Sequence, residues 1–223
     1  MSAFILKGPE VLESVNLISR KKGCTVELVT TRKNAITDTL VIILTKLPPK
    51  LYSHCVHVSV IANILAKQAA HLPKGTSMDT FAHSVRLGGL YHHFGYQTPS
   101  KKHMPIAGEH ILRAHPPANC SLDWDTVLDI ARHHCERMDG SGYPDKLAGE
   151  EISLAARLTG FSDALDTLLT KSSGSTEQNV SKATQYMEKN GNKLFGIDVM
   201  DCFKHTQTYL FDLYLKEANR TNG

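Results

Sequence analysis

The sequence predicts an all-α bundle preceded by a small N-terminal appendage, and three observations predict it. From Pro48 onward apolar residues recur at three- and four-residue intervals, as in Leu51, Cys55, Val58, Ala62 and Leu65, the spacing of one face of an α-helix. Glycine, proline and serine clusters punctuate these stretches at intervals suited to short inter-helix connections. The chain has 223 residues, 41% hydrophobic and 21% charged, enough for one large domain with a buried core.

Gly8-Pro9 followed by Val11, Leu12, Val15 and Ile18, and ended by Gly23, predicts a short amphipathic helix with proline in its first turn and glycine past its last. Residues 24–47 mix β-branched and aliphatic side chains without a clean period, which leaves strand and buried helix both open. Residues 1–47 are therefore set apart as an appendage, α or α+β, and 48–218 as the helical domain. Helices are expected over 49–68, 78–93, 106–114, 123–136, 151–170, 177–190 and 196–217. Ser121 or Asp123 caps the fourth, and Gly191 is expected to close the sixth. Asp139-Gly140-Ser141-Gly142-Tyr143-Pro144 and the polar run Lys171 to Thr176 read as loops.

Composition removes several classes of function. The longest apolar run, Leu40 to Leu44, is far shorter than the roughly 20 residues that span a bilayer, and no secretory leader is visible, so a cytoplasmic protein with no membrane contact is expected. Five cysteines without a C-x-x-C pair suggest neither a disulfide framework nor a cysteine-based zinc site. A net charge of +3 gives no basis for DNA or RNA binding. The distinctive residue is histidine: there are 12, and the stretch from His92 to His134 is especially rich in them. His54, His92-His93, His133-His134 and Asp163 fall on or at the ends of different predicted helices, where inward-facing imidazoles and a carboxylate can converge on a metal ion.

The run His134-Cys135-Glu136-Arg137-Met138-Asp139-Gly140-Ser141-Gly142-Tyr143-Pro144 resembles the signature of the HD-GYP family, part of the HD superfamily of metal-dependent phosphodiesterases. The segments Leu147-Ala148-Gly149, Ile152 to Leu158 and Phe161 to Asp166 continue the resemblance without gaps, and it extends more weakly over 50–210. It implies an HD-superfamily helical bundle and hydrolysis of c-di-GMP or a related cyclic dinucleotide at a centre of one or two divalent ions, iron or manganese first and zinc as a third option. His54, His92, His93, His134 and Asp163 are the implied ligands, with His103, His133 and Cys135 as further candidates. Asp166 is left as a structural residue or one that supports the ligands from behind by orienting a histidine. Lys101, Lys102 and Arg113 are candidates for a phosphate-binding rim, and Gly142, Tyr143 and Pro144 for a loop that meets a partner such as a diguanylate cyclase domain. A homodimer is left open.

The sequence departs from the family pattern in ways that bear on turnover. His93 stands where the bridging aspartate is expected, Tyr96 where a lysine is, Met104 and Cys135 at ligand positions, and Lys50 at the place of a further glutamate. A carboxylate has two oxygens for two ions, whereas a neutral imidazole offers one lone pair. The expected activity is therefore weak hydrolysis, and the alternative is a catalytically impaired module that binds a nucleotide or a signalling partner. His57 is expected to be a bystander.

Overall fold

The computed structural model describes residues 16–18, 27–29, 38–117, 123–171 and 174–221. Its elements, in chain order, are strands β1 (Asn16–Ile18) and β2 (Glu27–Val29), then helices α1 (Asp38–Thr45), α2 (Pro49–Ala66), α3 (Met78–Tyr91), α4 (Met104–Arg113) and α5 (Trp124–His133). A 3-10 turn (Gly149–Glu151) precedes α6 (Leu154–Lys171), α7 (Thr176–Phe195) and α8 (Ile197–Thr221). Apart from the β1–β2 ribbon, the described residues form an all-α bundle.

The helix expected from Gly8-Pro9 is corrected at Asn16–Ile18, which pairs antiparallel with Glu27–Val29, Leu17 opposite Leu28; the rest of that stretch lies outside the described residues. A short isolated helix is marginal without a packing partner, and the β-branched residues Thr25, Val26, Val29 and Thr30 favour an extended partner strand instead. Residues 24–47, left open by the sequence, contain both a strand and a helix. That helix, α1, belongs to the wall of the bundle, because Leu40 and Leu44 are fully buried.

Local chemistry sets the helix ends. Pro49 sits in the first turn of α2, where its missing N–H costs nothing. The Ser77 and Asp123 side chains accept hydrogen bonds from Thr80 N and Thr126 N, each at 3.2 Å, and Ser175 forms a capping box with Gln178. The expected stop at Gly191 does not occur. Helix α7 runs through it to Phe195 and ends at Gly196, whose φ of 100° a side chain would resist. Gly191 instead gives room to Met200 of α8.

Two apolar clusters support the bundle. One joins Ile61, Leu65, Phe81, Leu158, Phe161, Leu165, Phe195 and Phe203, with Phe161 ring centroids 5.4 Å from Phe195 and 5.0 Å from Phe203. The other joins Leu40, Leu44, Tyr91, Phe94, Leu112 and Val127. Each fully buried aliphatic or aromatic side chain contributes about 1.5–3 kcal/mol. No helix among the described residues is long and apolar enough to cross a membrane.

Candidate metal centre

Polar side chains gather where the C-terminal ends of α3 and α5 meet α2 and α6. His54 and His57 lie on α2, and Asp163 and Asp166 lie one turn apart on α6. His92 is the C-cap of α3 and is followed by His93, and His134 is the C-cap of α5. One ligand atom from each of His54, His92, His93 and Asp163 falls within 4.8 Å of the other three. The His92 ring centroid is 5.3 Å from that of His54 and 4.2 Å from that of His93. His134 stands at the edge of the cluster, its ring 5.0 Å from His92 and 6.0 Å from His93.

Three imidazoles are anchored through Nδ1. His92 Nδ1 donates to Gly89 O at 2.6 Å, His134 Nδ1 to Ile130 O and Ala131 O at 3.0 and 3.1 Å, and His54 Nδ1 to Asp166 Oδ2 at 2.6 Å. These bonds place a proton on Nδ1 and leave Nε2 facing the cluster, the arrangement of metal-ligating histidines. The Nε2 atoms of His54, His92 and His134 are buried without a hydrogen bond. His54 Nε2 and Asp163 Oδ1 approach to 3.1 Å yet are not aligned as a hydrogen bond, so both aim at a shared point rather than at each other. Two helix C-termini also end here, and their partial negative charge favours a cation. The donor set fits a divalent ion of the zinc, iron or manganese kind. His93 and Asp163 are half-buried, which gives the cluster an open side.

The electrostatics follow from burial and the two carboxylates. Desolvation opposes a charge on His54, but the adjacent carboxylates of Asp163 and Asp166 outweigh it and raise its pKa to about 9. His92 and His93 lack such a partner, and burial together with neighbouring imidazoles lowers both well below the usual histidine range. Burial would raise Asp166, yet hydrogen bonds from His54 and His57 pull it down to about 2. Asp163 is likewise pulled below the ordinary carboxylate range against its burial, chiefly by His54.

Other residues singled out in the sequence lie elsewhere. His133 is turned away, Nδ1 bonded to Asp129 at 2.6 Å and Nε2 to Asp145 at 3.0 Å, so neither nitrogen is free for a metal. His103 is exposed at the N-cap of α4, outside the cluster. The Cys135 thiol is buried beside His134 and within hydrogen-bonding reach of the Tyr143 hydroxyl. Its burial opposes the thiolate, but His134 and Tyr143 lower its pKa overall. Lys101 and Lys102 are exposed in the turn before α4. Arg113 is paired with Glu109, Nη2 to Oε1 at 2.6 Å. The Gly142-Tyr143-Pro144 loop is folded back on the end of α5: Gly142 is buried, Tyr143 and Pro144 are half-buried, and Tyr143 N donates to Cys135 O at 3.3 Å.

Sequence reasoning missed three contributors. His57 is a buried partner of Asp166 rather than a bystander, with Nδ1 2.8 Å from Oδ1; its position one turn after His54 was the available signal. The Tyr214 hydroxyl donates to the same oxygen at 2.6 Å, and nothing in the sequence pointed to it. Glu136 Oε1 accepts from Asp145 N and Lys146 N at 2.6 and 3.0 Å, pinning the loop beside His134.

A helical bundle that gathers three histidines and an aspartate from three helices defines the class: an all-α protein with a ligand cluster fit for a metal ion. The chain belongs to the HD domain family, whose model matches residues 53–199. The cyclic di-GMP phosphodiesterase PA4108 of Pseudomonas aeruginosa is 34% identical over 131 residues, 52% of this chain and 30% of that protein. The cyclic di-GMP phosphodiesterase response regulator RpfG of Xanthomonas campestris is 41% identical over 66 residues, 30% of this chain and 18% of that protein. This chain thus spans less than a third of the length of either relative. The solved structure of Bd1817, described as an HDG"Y"P protein from Bdellovibrio bacteriovorus, matches with a TM-score of 0.49 at 21% identity, over 70% of this chain and 52% of that one.

Proposed function

We propose that this chain is a phosphodiesterase of the HD-GYP type that hydrolyses a cyclic dinucleotide, c-di-GMP or a close analogue, with low turnover at a divalent metal ion. The observation that carries the reading is the pair of buried, unbonded His54 and His92 Nε2 atoms converging with His93 and Asp163. Relatives named as cyclic di-GMP phosphodiesterases support the substrate class. When bound, a divalent cation supplies Lewis-acid polarisation of a phosphoryl oxygen and acidifies a water molecule.

The chain's own residues do the rest. His54, His92 and Asp163 present their donor atoms, His93 joins them on the open side, and His134 extends the set. Asp166 and the Gly89, Ile130 and Ala131 carbonyls hold the rings in register. Lys101 and Lys102 are the cations proposed to meet substrate phosphates. Low turnover follows from His93, because an imidazole does not bridge two ions as a carboxylate does, and iron or manganese is the ion expected, with zinc as a third option.

The test is hydrolysis of c-di-GMP by protein loaded anaerobically with Fe(II) or Mn(II), beside Asp163→Ala. Linear product from the wild type and none above background from the variant is the expected result. The single imidazole lone pair at His93 also favours a second reading, a nucleotide-binding module without turnover. Tight binding of c-di-GMP by well-folded, metal-loaded protein that makes no product would establish that one instead.

A further inference from the structure

We infer that Tyr214, near the end of α8, is a positioning residue for this centre: through Asp166 it holds His54 in the orientation that presents Nε2 to the cation. The inference rests on the metal reading above and not on the identity of the substrate.

Asp166 receives three donors. Its Oδ2 accepts from His54 Nδ1 at 2.6 Å, while Oδ1 accepts from both His57 Nδ1 at 2.8 Å and the Tyr214 hydroxyl at 2.6 Å. Asp166 is 1% exposed, His57 3%, and His54 and Tyr214 6% each. A carboxylate this deep keeps its charge only if protein donors replace water. Donors on both oxygens also stop the carboxylate plane from turning, which fixes the acceptor that His54 must face. The His57 and Tyr214 rings meet edge to face at 5.8 Å, so the hydroxyl is placed by packing as well as by its bond.

Helix α8 is otherwise remote from the chemistry. Among the described residues none of the candidate ligands lies on it, and the Tyr214 hydroxyl bonds the carboxylate that orients one. A phenylalanine would fill the same apolar space, whereas a buried hydroxyl incurs a desolvation cost that a purely space-filling role does not repay. The hydroxyl therefore acts on Asp166, and Asp166 on His54. Removing it leaves Oδ1 with the His57 donor, loosens the carboxylate and weakens the bias toward the Nδ1–H tautomer of His54.

The experiment is titration of metal-free protein with Co2+, read by its visible d–d absorption, and with Zn2+ in competition, for wild type, Tyr214→Phe, Asp166→Asn and Tyr209→Phe. Outer partners of metal-bound histidines are worth about 10- to 100-fold in affinity. Tyr214→Phe is expected to lose about tenfold with a shifted Co2+ spectrum, Asp166→Asn more, and the surface control Tyr209→Phe nothing. Melting temperatures taken in chelator separate a structural role. Wild-type Co2+ affinity and spectrum in a folded Tyr214→Phe protein, whether or not its melting point falls, overturn the proposal. Should Tyr214→Phe not fold, Asp166→Asn carries the test, because unchanged Co2+ affinity there shows that the group through which Tyr214 acts does not position His54 and overturns the proposal equally. A wild type that binds neither Co2+ nor Zn2+ removes the metal reading itself, whereas one that binds them but makes no product removes only the phosphodiesterase reading.

Discussion

His133 and His134 show how one residue's geometry decides a role. Neighbours on a helix point about 100° apart, so the adjacent histidines at the end of α5 meet different surroundings. His134, as C-cap of α5, turns inward and bonds the carbonyls behind it, and His133 turns to Asp129 and Asp145. The sequence named both, because composition does not tell the two faces apart when partners arrive from other elements. His54, His92, His93 and Asp163 were legible, since each carries its own ligand chemistry and lies on or beside a helix the sequence delimits. Tyr214 was not, because its role depends on a contact made across the fold. Close backbone approach adds a residue-scale demand at Gly160 of α6, where a Cβ would collide with the His134 carbonyl oxygen. Gly160→Ala must push α6 away from the end of α5 and carry Asp163 away from His134. Overpacking of this kind costs about 1–3 kcal/mol. The expected outcome is a lower melting temperature together with weaker Co2+ binding, checked by thermal denaturation and metal titration of the same variant.

Helix boundaries were legible where a local signal sets them and illegible where packing does. Pro49, Ser77, Asp123 and Ser175 begin helices at the places their chemistry predicts. Gly191 misled because glycine serves two ends, terminating a helix or admitting a neighbour, and only Met200 of α8 shows which applies. Helix α1 was hidden in an aperiodic segment, since apolar residues occupy its exposed side too, as at Ile42, and leave no polar face to create a period. The joint between α6, α7 and α8 depends on Arg157, 5% exposed, whose guanidinium donates to Ile152 O and Phe195 O at 3.2 Å each and to Asp198 at 2.5 Å. Arg157→Ala strips donors from two carbonyls and leaves Asp198 with only the Val199 N–H. Because the Asp198 side chain is half exposed, water recovers part of the loss. A destabilisation of about 1–3 kcal/mol is expected from the unpaired carbonyls, measured by urea denaturation with an unchanged m-value.

At the scale of the whole molecule, the cluster exists only when α2, α3 and α6 are assembled, with α5 bringing His134. An unfolded chain scatters these ligands, so a cation that binds them binds the native state in preference and shifts the folding equilibrium by mass action. At a free ion concentration a hundredfold above the dissociation constant the gain is about 2.7 kcal/mol. For a domain of this size each kcal/mol moves the melting temperature by about 2–4 °C, so loading with Zn2+ or Mn2+ should raise it by about 5–10 °C and a chelator should reverse the rise. Asp163→Ala removes the carboxylate from the cluster and should melt at the same temperature with and without the ion. Equal melting of the wild type in metal and in chelator, with Asp163→Ala no different, would mean that the converging Nε2 atoms do not hold a cation. The four-helix cluster would then be a packing arrangement, and both the proposed hydrolysis and the Tyr214 relay would lose their common footing.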